Sequence, residues 1–280
     1  MNTFRPAAPN AAWPRLRRLF CTVLLGIVGL MPAHAAEPGC QPLRVGMSTL
    51  GVAYFRQDGQ PRGVDVDLMR EVGRRLGCGF EIVEMNRARI YQSLERGEII
   101  DLATAASRTP ERDQYAEFVP IGKTRDYLLV HKRLAKPGFD LNQFVATPEL
   151  RMGALAKSNY SSFINARLAV LSLQGRVEVT VLAESLIPRL IAGRYDGLIV
   201  TPAYFIAALN ELPGGVDLRA LPIPEGEPYQ WGVYMSRRTL DEGRRQRIRE
   251  ALESIRRDGT LLKIHRQYYP EELARENGNF

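Results

Sequence analysis

The sequence has little histidine, with three residues among 280, and one of these, His34, lies in the N-terminal segment. His131 and His265 are too few for a histidine-based metal site or a serine-histidine or cysteine-histidine nucleophile system. We expect both in surface or packing roles. The chain also lacks a glycine-rich phosphate loop followed by lysine and serine or threonine. No two acids lie at positions typical of a glycosidase pair. We therefore expect no metal, no cofactor and no catalytic residues, and the sequence does not predict an enzyme.

Long hydrophobic runs are also scarce. The run at residues 19–31 is shorter than the roughly 20 residues that span a membrane, and no later segment is a second candidate. It follows three arginines and precedes Ala33-His34-Ala35, a small-x-small cleavage site. Residues 1–35 are therefore predicted to be a secretory signal peptide, cleaved after Ala35 or Ala36, with an uncleaved membrane anchor as the alternative. Export predicts a periplasmic protein.

Positive charge is in excess, but part of the excess belongs to the predicted signal peptide. The whole chain has a formal net charge of +7, and four arginines and no acid lie in residues 1–35, so the mature chain carries +3. Acids are interspersed throughout the rest, and no stripe of lysine and arginine is present. Nucleic acid is therefore not an expected partner.

Cysteine is limited to three residues, and the predicted signal peptide takes Cys21. Cys40 precedes the predicted strand 43–47, and Cys78 precedes the predicted strand 80–84. If a helix joins these as parallel neighbours, both sulfurs lie at one sheet edge, which predicts a Cys40–Cys78 disulfide in an oxidising compartment. Two unpaired buried thiols are the alternative. Cys40 follows Glu-Pro-Gly rather than a lipobox, which disfavours a lipid anchor.

Apolar spacing along the mature chain predicts alternating strands and helices. Residues 64–76 have helical spacing and precede Gly77, so they complete a β-α-β unit. The other main predicted segments are strands 99–106, 127–131, 151–156, 177–181, 197–200 and 230–235, and helices 161–172, 184–192, 203–209, 240–257 and 260–268. This alternation predicts an α/β fold with parallel sheets and ligands at the carboxyl ends of strands.

The segment Thr109-Pro110-Glu111-Arg112-Asp113 follows a predicted buried strand. Thr109 suits the cap of a helix and Pro110 its first position, while the helix dipole leaves positive charge at that end. Arginine binds carboxylates through two parallel hydrogen bonds. The segment therefore predicts an anion site, with a surface arginine on an ordinary helix as the alternative.

Several motifs occur in one order along residues 41–270. They are Gly63-Val64-Asp65-Val66-Asp67-Leu68, Arg75-Leu76-Gly77, Ser93-Leu94 with Gly97 and Asp101, Thr109-Pro110-Glu111-Arg112, Ala192-Gly193-Arg194-Tyr195-Asp196-Gly197, and Asp258-Gly259-Thr260-Leu261-Leu262-Lys263-Ile264 with Gln267-Tyr268-Tyr269. In this combination the chain resembles the family 3 extracellular solute-binding proteins, the amino-acid binders of ABC importers. Taken singly, each motif also suits a structural role as a turn, a helix start or core.

The resemblance implies a two-lobed α/β fold of the periplasmic-binding-protein type II, with two hinge strands and a ligand cleft between the lobes. Lobe 1 would comprise residues 36–130 plus 229–280, and lobe 2 residues 131–228. A monomer would capture a small carboxylate-bearing ligand, an amino acid or related organic acid, and closure would be read by an ABC permease. Two alternatives stay open: a ligand sensor for a membrane receptor, and a periplasmic dehydratase on the same fold.

The resemblance also implies ligand-binding residues. Arg112 matches the arginine that clamps the ligand carboxylate, and Ser107 a small polar residue beside it. Ser158 and Asn159 match the lobe 2 position that adds amides and a hydroxyl. Tyr54 and Phe55 lie in the loop where the family places aromatic residues against the ligand. A structural role is the alternative for most of these residues. Ser107 would then simply end a strand, Ser158 and Asn159 would cap a helix, and the two aromatic residues would pack in the core.

The chain departs from the family pattern at three positions. The acid that pairs with the ligand ammonium falls at Thr201, which carries no charge, and this loss places a standard α-amino acid in doubt. The acid that a dehydratase would use is missing from the same segment. Arg87 and Lys157 stand where small or apolar residues are frequent. They suggest a more anionic ligand such as a dicarboxylate, although solvent-facing side chains are the alternative.

Overall fold

The computed structural model describes residues 40–156, 158, 160–210 and 217–278. The predicted signal peptide, residues 1–35, lies outside the described residues, as do Lys157 and Asn159. Among the described residues, no helix has both the length and the apolar character needed to cross a bilayer.

The strands in the described part of the chain are β1 (Leu43–Met47), β2 (Phe55–Gln57), β3 (Gln60–Arg62), β4 (Phe80–Glu84), β5 (Leu102–Ser107), β6 (Ala116–Thr124), β7 (Tyr127–His131), β8 (Met152–Leu155), β9 (Val177–Thr180), β10 (Gly197–Val200), β11 (Leu218–Pro222) and β12 (Tyr229–Ser236). The helices are α1 (Val64–Leu76), α2 (Arg87–Arg96), α3 (Pro110–Asp113), α4 (Leu141–Ala146), α5 (Ser162–Leu173), α6 (Leu186–Ile191), α7 (Pro202–Asn210), α8 (Glu242–Arg257), α9 (Thr260–His265) and α10 (Glu271–Gly278).

The first sheet has the order β4-β1-β5-β12-β6. β1 pairs in parallel with β4 and β5, whereas β12 is antiparallel to both β5 and β6. α1 and α8 cover it with apolar side chains that include Leu68 and Ile248, both fully buried. The helical spacing of residues 64–76 is confirmed, and α1 ends where Gly77 adopts a left-handed conformation.

The second sheet has the order β11-β7-β10-β8-β9 and its own core. β8 is parallel to β9 and β10, and β7 is antiparallel to β10 and β11. Both sheets are therefore mixed, which corrects the expectation of parallel sheets. Antiparallel pairing arises because the chain enters and leaves each sheet by extended strands rather than through a crossover helix.

The chain passes from the first sheet to the second between β6 and β7, and returns between β11 and β12. The first passage consists of Arg125 and Asp126 alone, and the second spans residues 223–228. β7 begins at Tyr127 in the second sheet, four residues before the lobe boundary expected at residue 131. The C-terminal ends of β6 and β11 and the first residues of β7 and β12 thus lie at these two short connections.

The disulfide between Cys40 and Cys78 is confirmed, with the two Cα atoms 5.6 Å apart. β1 and β4 are parallel neighbours, with Leu43 opposite Phe80. Each cysteine lies just before its strand, so the register brings both to one sheet edge. The alternative of two unpaired thiols is therefore wrong.

His265 is 1% exposed and stacks against Trp231 with ring centroids 5.7 Å apart. His131 is partly buried, with Nε2 3.1 Å from the carbonyl oxygen of Leu190. Both histidines thus have packing roles, as the sequence suggested. Burial lowers the pKa of His265 to about 4, so this ring is neutral near neutral pH.

Gly63 begins α1 with a φ of 125°, a backbone region that side chains other than glycine rarely adopt. A Cβ at this position would lie 2.3 Å from the carbonyl oxygen of Ala53. We expect Gly63→Ala to lower the free energy of unfolding by about 2 kcal/mol or more, because strain and a backbone clash add. Urea unfolding measures the change.

Gly59→Ala is the matched control for this substitution. Gly59 also has a positive φ, 74°, but a Cβ there meets no atom within 4 Å. The control should lower the free energy of unfolding by only about 1 kcal/mol, because alanine disfavours the left-handed conformation but meets no clash there. Equal losses in the two variants would contradict a role for the contact with Ala53.

Candidate functional site

A cleft of about 1820 Å³ lies between side chains of the two sheets. The ends of β5 and β10, the start of β12 and the first residues of α1, α2 and α7 contribute to its walls. The predicted site residues that line it are Arg87, Ser107, Arg112, Ser158 and Thr201. Elements that are far apart in the chain thus place five of the predicted residues around one volume.

Arg112 is held in place by contacts within the protein. Its Nη1 donates to the Ser107 carbonyl oxygen at 2.9 Å, and its guanidinium carbon lies 3.6 Å from the centre of the Tyr91 ring. α3 itself is fixed to β12, because the buried Tyr234 hydroxyl accepts from the Thr109 amide at 2.9 Å. The side chain is thus oriented by cation–π and hydrogen-bond contacts.

The predicted cap of α3 is present, since the Thr109 hydroxyl accepts from the Arg112 amide at 3.3 Å. The sequence interpretation expected the free amides of this helix start to bind an anion. The contact with Thr109 already satisfies one of these amides. α3 is only one turn long, so its dipole adds little. The positive charge of this segment therefore comes mainly from the guanidinium of Arg112.

Arg87 also contacts Tyr91, with its guanidinium carbon 5.7 Å from the centre of the ring. Its Nη2 contacts the Ala105 carbonyl oxygen and lies 3.3 Å from the Tyr91 hydroxyl. Ala105 has a φ of 46°, unusual for a residue with a side chain, and such strain is concentrated at functional sites. In the described part of the chain, neither Arg87 nor Arg112 pairs with a carboxylate.

The aromatic residues predicted for ligand contact lie elsewhere. Tyr54 is 1% exposed and packs in the core of the first sheet with β1 and α1. Phe55 starts β2 and contacts Tyr268 edge-to-face, with centroids 6.4 Å apart. Neither lines the cleft, because the hairpin of β2 and β3 turns these side chains toward α1 and the C-terminal helices. Tyr91 instead supplies the aromatic surface beside the arginines.

Asp126 is a cleft residue that sequence reasoning missed. It lies in the two-residue passage between β6 and β7, is 4% exposed, and accepts a hydrogen bond from the Tyr229 hydroxyl at 3.2 Å. Burial raises its pKa to about 7, and the bond from Tyr229 opposes this rise. The sequence feature that could have indicated Asp126 is a charged residue between two apolar strands.

Asp65, in the first turn of α1, is a second buried carboxyl at the cleft. Burial raises its pKa to about 6, while a hydrogen bond from Thr104 and the charge of Arg87 act in the opposite direction. Sequence interpretation gave Asp65 only the role of a helix-start acid. The structure adds that it faces the cleft near a cation.

The raised pKa of Asp126 predicts a pH-dependent stability. The folded carboxyl holds its proton up to about pH 7, whereas an unfolded aspartate loses it near pH 4. The unfolded state therefore binds fewer protons between these values, and the free energy of unfolding falls as pH rises from about 4 to 7. At pH 8 we expect unliganded Asp126→Asn to be more stable than the parent by about 1–3 kcal/mol.

The measurement is urea unfolding of both proteins at pH 4, 6 and 8. His265 and Asp65 also titrate in this range, but they are present in both proteins and cancel in the difference. A difference that stays constant with pH would contradict the prediction.

Solved structures of binding proteins share this fold. An ancestral arginine-binding protein bound to arginine superposes with a TM-score of 0.69 at 21% identity, covering 82% of this chain and 98% of that one. The arginine-, lysine- and histidine-binding protein ArtJ of Geobacillus stearothermophilus gives 0.66 at 19% identity, covering 82% and 95%. The fold is that of the two-lobed α/β binding proteins.

The profile of the bacterial extracellular solute-binding proteins, family 3, matches residues 43–271. The chain belongs to this family. Among curated relatives, membrane-bound lytic murein transglycosylase F of Desulfosudis oleivorans is 26% identical over 78% of this chain, which spans only 46% of that protein. The histidine-binding periplasmic protein of Salmonella typhimurium is 24% identical over 90% of this chain and 95% of its own length.

Proposed function

We propose that the protein binds a small carboxylate-bearing solute, an amino acid or related organic acid, in the cleft between its lobes. The observation that carries this proposal is the pair of guanidinium groups that contact Tyr91, Arg112 over its ring and Arg87 at its hydroxyl. Neither forms an ion pair with a described carboxylate, although Asp65 lies near Arg87, and a ligand carboxylate would relieve the repulsion between the two cations. Arg112 is positioned to form the bidentate pair.

The other residues of this proposed site come from both lobes. Ser107 and Arg87 would bind from lobe 1, residues 36–130 plus 229–280. Ser158, Asn159, Lys157 and Thr201 would bind from lobe 2, residues 131–228. Ligand would then favour the closed form, because only closure lets both lobes contact it.

The names of relatives support an amino-acid ligand and a role in import. They include a histidine-binding periplasmic protein and a substrate-binding protein of an amino acid ABC transporter bound to L-arginine. We propose that the protein is exported by its N-terminal segment, acts as a monomer in the periplasm and delivers its ligand to an ABC permease. Binding without catalysis suits the transport role, and the transglycosylase name belongs to a protein about twice as long.

A thermal-shift screen of the exported protein tests the proposal. The ligands are the standard amino acids, di- and tricarboxylates, amines and aromatic acids, each tested at several concentrations. A ligand at 100 times its Kd stabilises by about 2.7 kcal/mol, which raises Tm by about 5–10 °C for a chain of this size. Stabilisation by carboxylate-bearing compounds supports the proposal, and stabilisation by amines alone, or by no compound, overturns it.

A further inference from the structure

Asp126 is a buried acid at the cleft, and no cation among the described residues forms an ion pair with it. Tyr229 donates to its Oδ1, and among the described residues no donor reaches Oδ2. Its neighbour Arg125 is turned away, with Nε 2.5 Å from Oε1 of Glu276. A buried carboxylate with a single hydrogen bond is costly to keep, so an incoming positive charge would find a strong partner there.

Tyr229 lies beside Asp126 and near Arg87. It begins β12, its hydroxyl donates to Asp126 at 3.2 Å, and the positive charge of Arg87 opposes the rise in its pKa. Tyr160, another cleft residue, has its pKa raised by burial and by the charge of Asp126. The cleft therefore contains two cations, Arg87 and Arg112, and a buried acid, Asp126, which an incoming cation would hold in its ionised form.

We infer that Asp126 binds the α-ammonium group of the ligand, so that the ligand is a zwitterion of the amino-acid class rather than a dicarboxylate. This inference rests on the proposed function, which places the ligand carboxylate at Arg112. It also answers the doubt raised by Thr201, because the missing acid is supplied from the passage between β6 and β7. A dicarboxylate would place its second anion beside Asp126 and be repelled.

Other acids at the cleft serve this role less well. Asp65 already lies near Arg87 and is bonded by Thr104. Glu184 is exposed at the rim, where water competes for any cation. Three further acids line the cleft but are exposed: Glu84, Glu95 and Glu111. Among the acids of the cleft, Asp126 combines burial with the lack of an ion pair to any described cation.

The test compares matched ligand pairs by isothermal titration calorimetry. Each pair is an amino acid and the same acid without its α-amino group: L-glutamate with glutarate, L-glutamine with glutaramate, L-arginine with 5-guanidinopentanoate, and L-histidine with imidazolepropionate. The parent protein should bind the amino acid of the preferred pair at least 100-fold more tightly. Asp126→Asn should reduce this preference below 10-fold, mainly by weakening the amino acid. Glu184→Gln, the matched removal of an exposed charge, should leave the preference unchanged.

Each outcome has a distinct meaning. Parent protein that binds both members of every pair equally overturns the inference without any variant, so a variant that fails to fold does not remove the test. Equal weakening of both members by Asp126→Asn also overturns it, while the proposed function stands. Parent protein that binds no member of any pair overturns the inference, whereas the proposed function is overturned only if the thermal-shift screen also finds no carboxylate-bearing ligand.

Discussion

Replacement of Arg112 by alanine is expected to raise the Kd of the carboxylate ligand about 100-fold or more. The substitution removes a guanidinium that Ser107 and Tyr91 already orient. The ligand carboxylate then has only Arg87 as a partner of opposite charge on this side of the proposed site. Truncating one partner of a buried charge pair costs about 2–5 kcal/mol of binding free energy. Titration calorimetry with the strongest compound of the thermal-shift screen measures the loss.

Arg108→Ala is the control for this result. Arg108 precedes the same short helix and loses the same charge, but it pairs with Asp113 at 2.8 Å and is 61% exposed. We expect its effect on Kd to be less than twofold. Arg112→Lys should fall between the two, because lysine keeps the charge but loses the bidentate geometry. Unchanged binding by Arg112→Ala would show that the carboxylate site lies elsewhere.

Loss of the disulfide is expected to lower the free energy of unfolding by about 4 kcal/mol. Cys40 and Cys78 are separated by 38 residues. Without the crosslink the unfolded chain regains the conformational entropy that a closed loop of this size removes, which corresponds to about 4 kcal/mol at 25 °C. The Cys40→Ser/Cys78→Ser double variant should therefore unfold at a lower urea concentration. Because α1 and the β1–β4 pairing remain, we expect the same fold and ligand binding.

Reductant separates the disulfide from the substitutions themselves. Dithiothreitol should lower the stability of the parent protein toward that of the double variant and leave the double variant unchanged. A loss below about 1 kcal/mol in both comparisons would show that the crosslink constrains the unfolded chain little.

The fold was predictable where local patterns carry the information. α1 follows apolar positions at helical spacing and ends at Gly77, while β1 and β4 follow short apolar runs after each cysteine. The mixed order of both sheets was not predictable from this alternation. It depends on which strands meet after the chain passes between sheets, a long-range choice that leaves little trace in the pattern of each strand.

The candidate site likewise contains residues that the sequence predicted and residues that it did not. Arg112 and Ser107 were found because a strand end, a cap and a helix start are local features, and the family resemblance named their role. Tyr54 went to the core and Tyr91 to the cleft, although both are tyrosines in segments of mixed polarity. The direction of each ring depends on neighbouring elements, which a linear pattern does not specify.

By itself, the sequence determined the family, the main helices, the cysteine pairing and the arginine of the cleft, because spacing, caps and motif order are encoded locally. Only the tertiary structure decided that Asp126 meets Tyr229, since 103 residues separate them and two short passages between sheets bring them together. An acid is absent at Thr201 but present in the cleft at Asp126, a position set by the strand order. Its burial, which no sequence pattern specifies there, raises the pKa of its carboxyl to about 7.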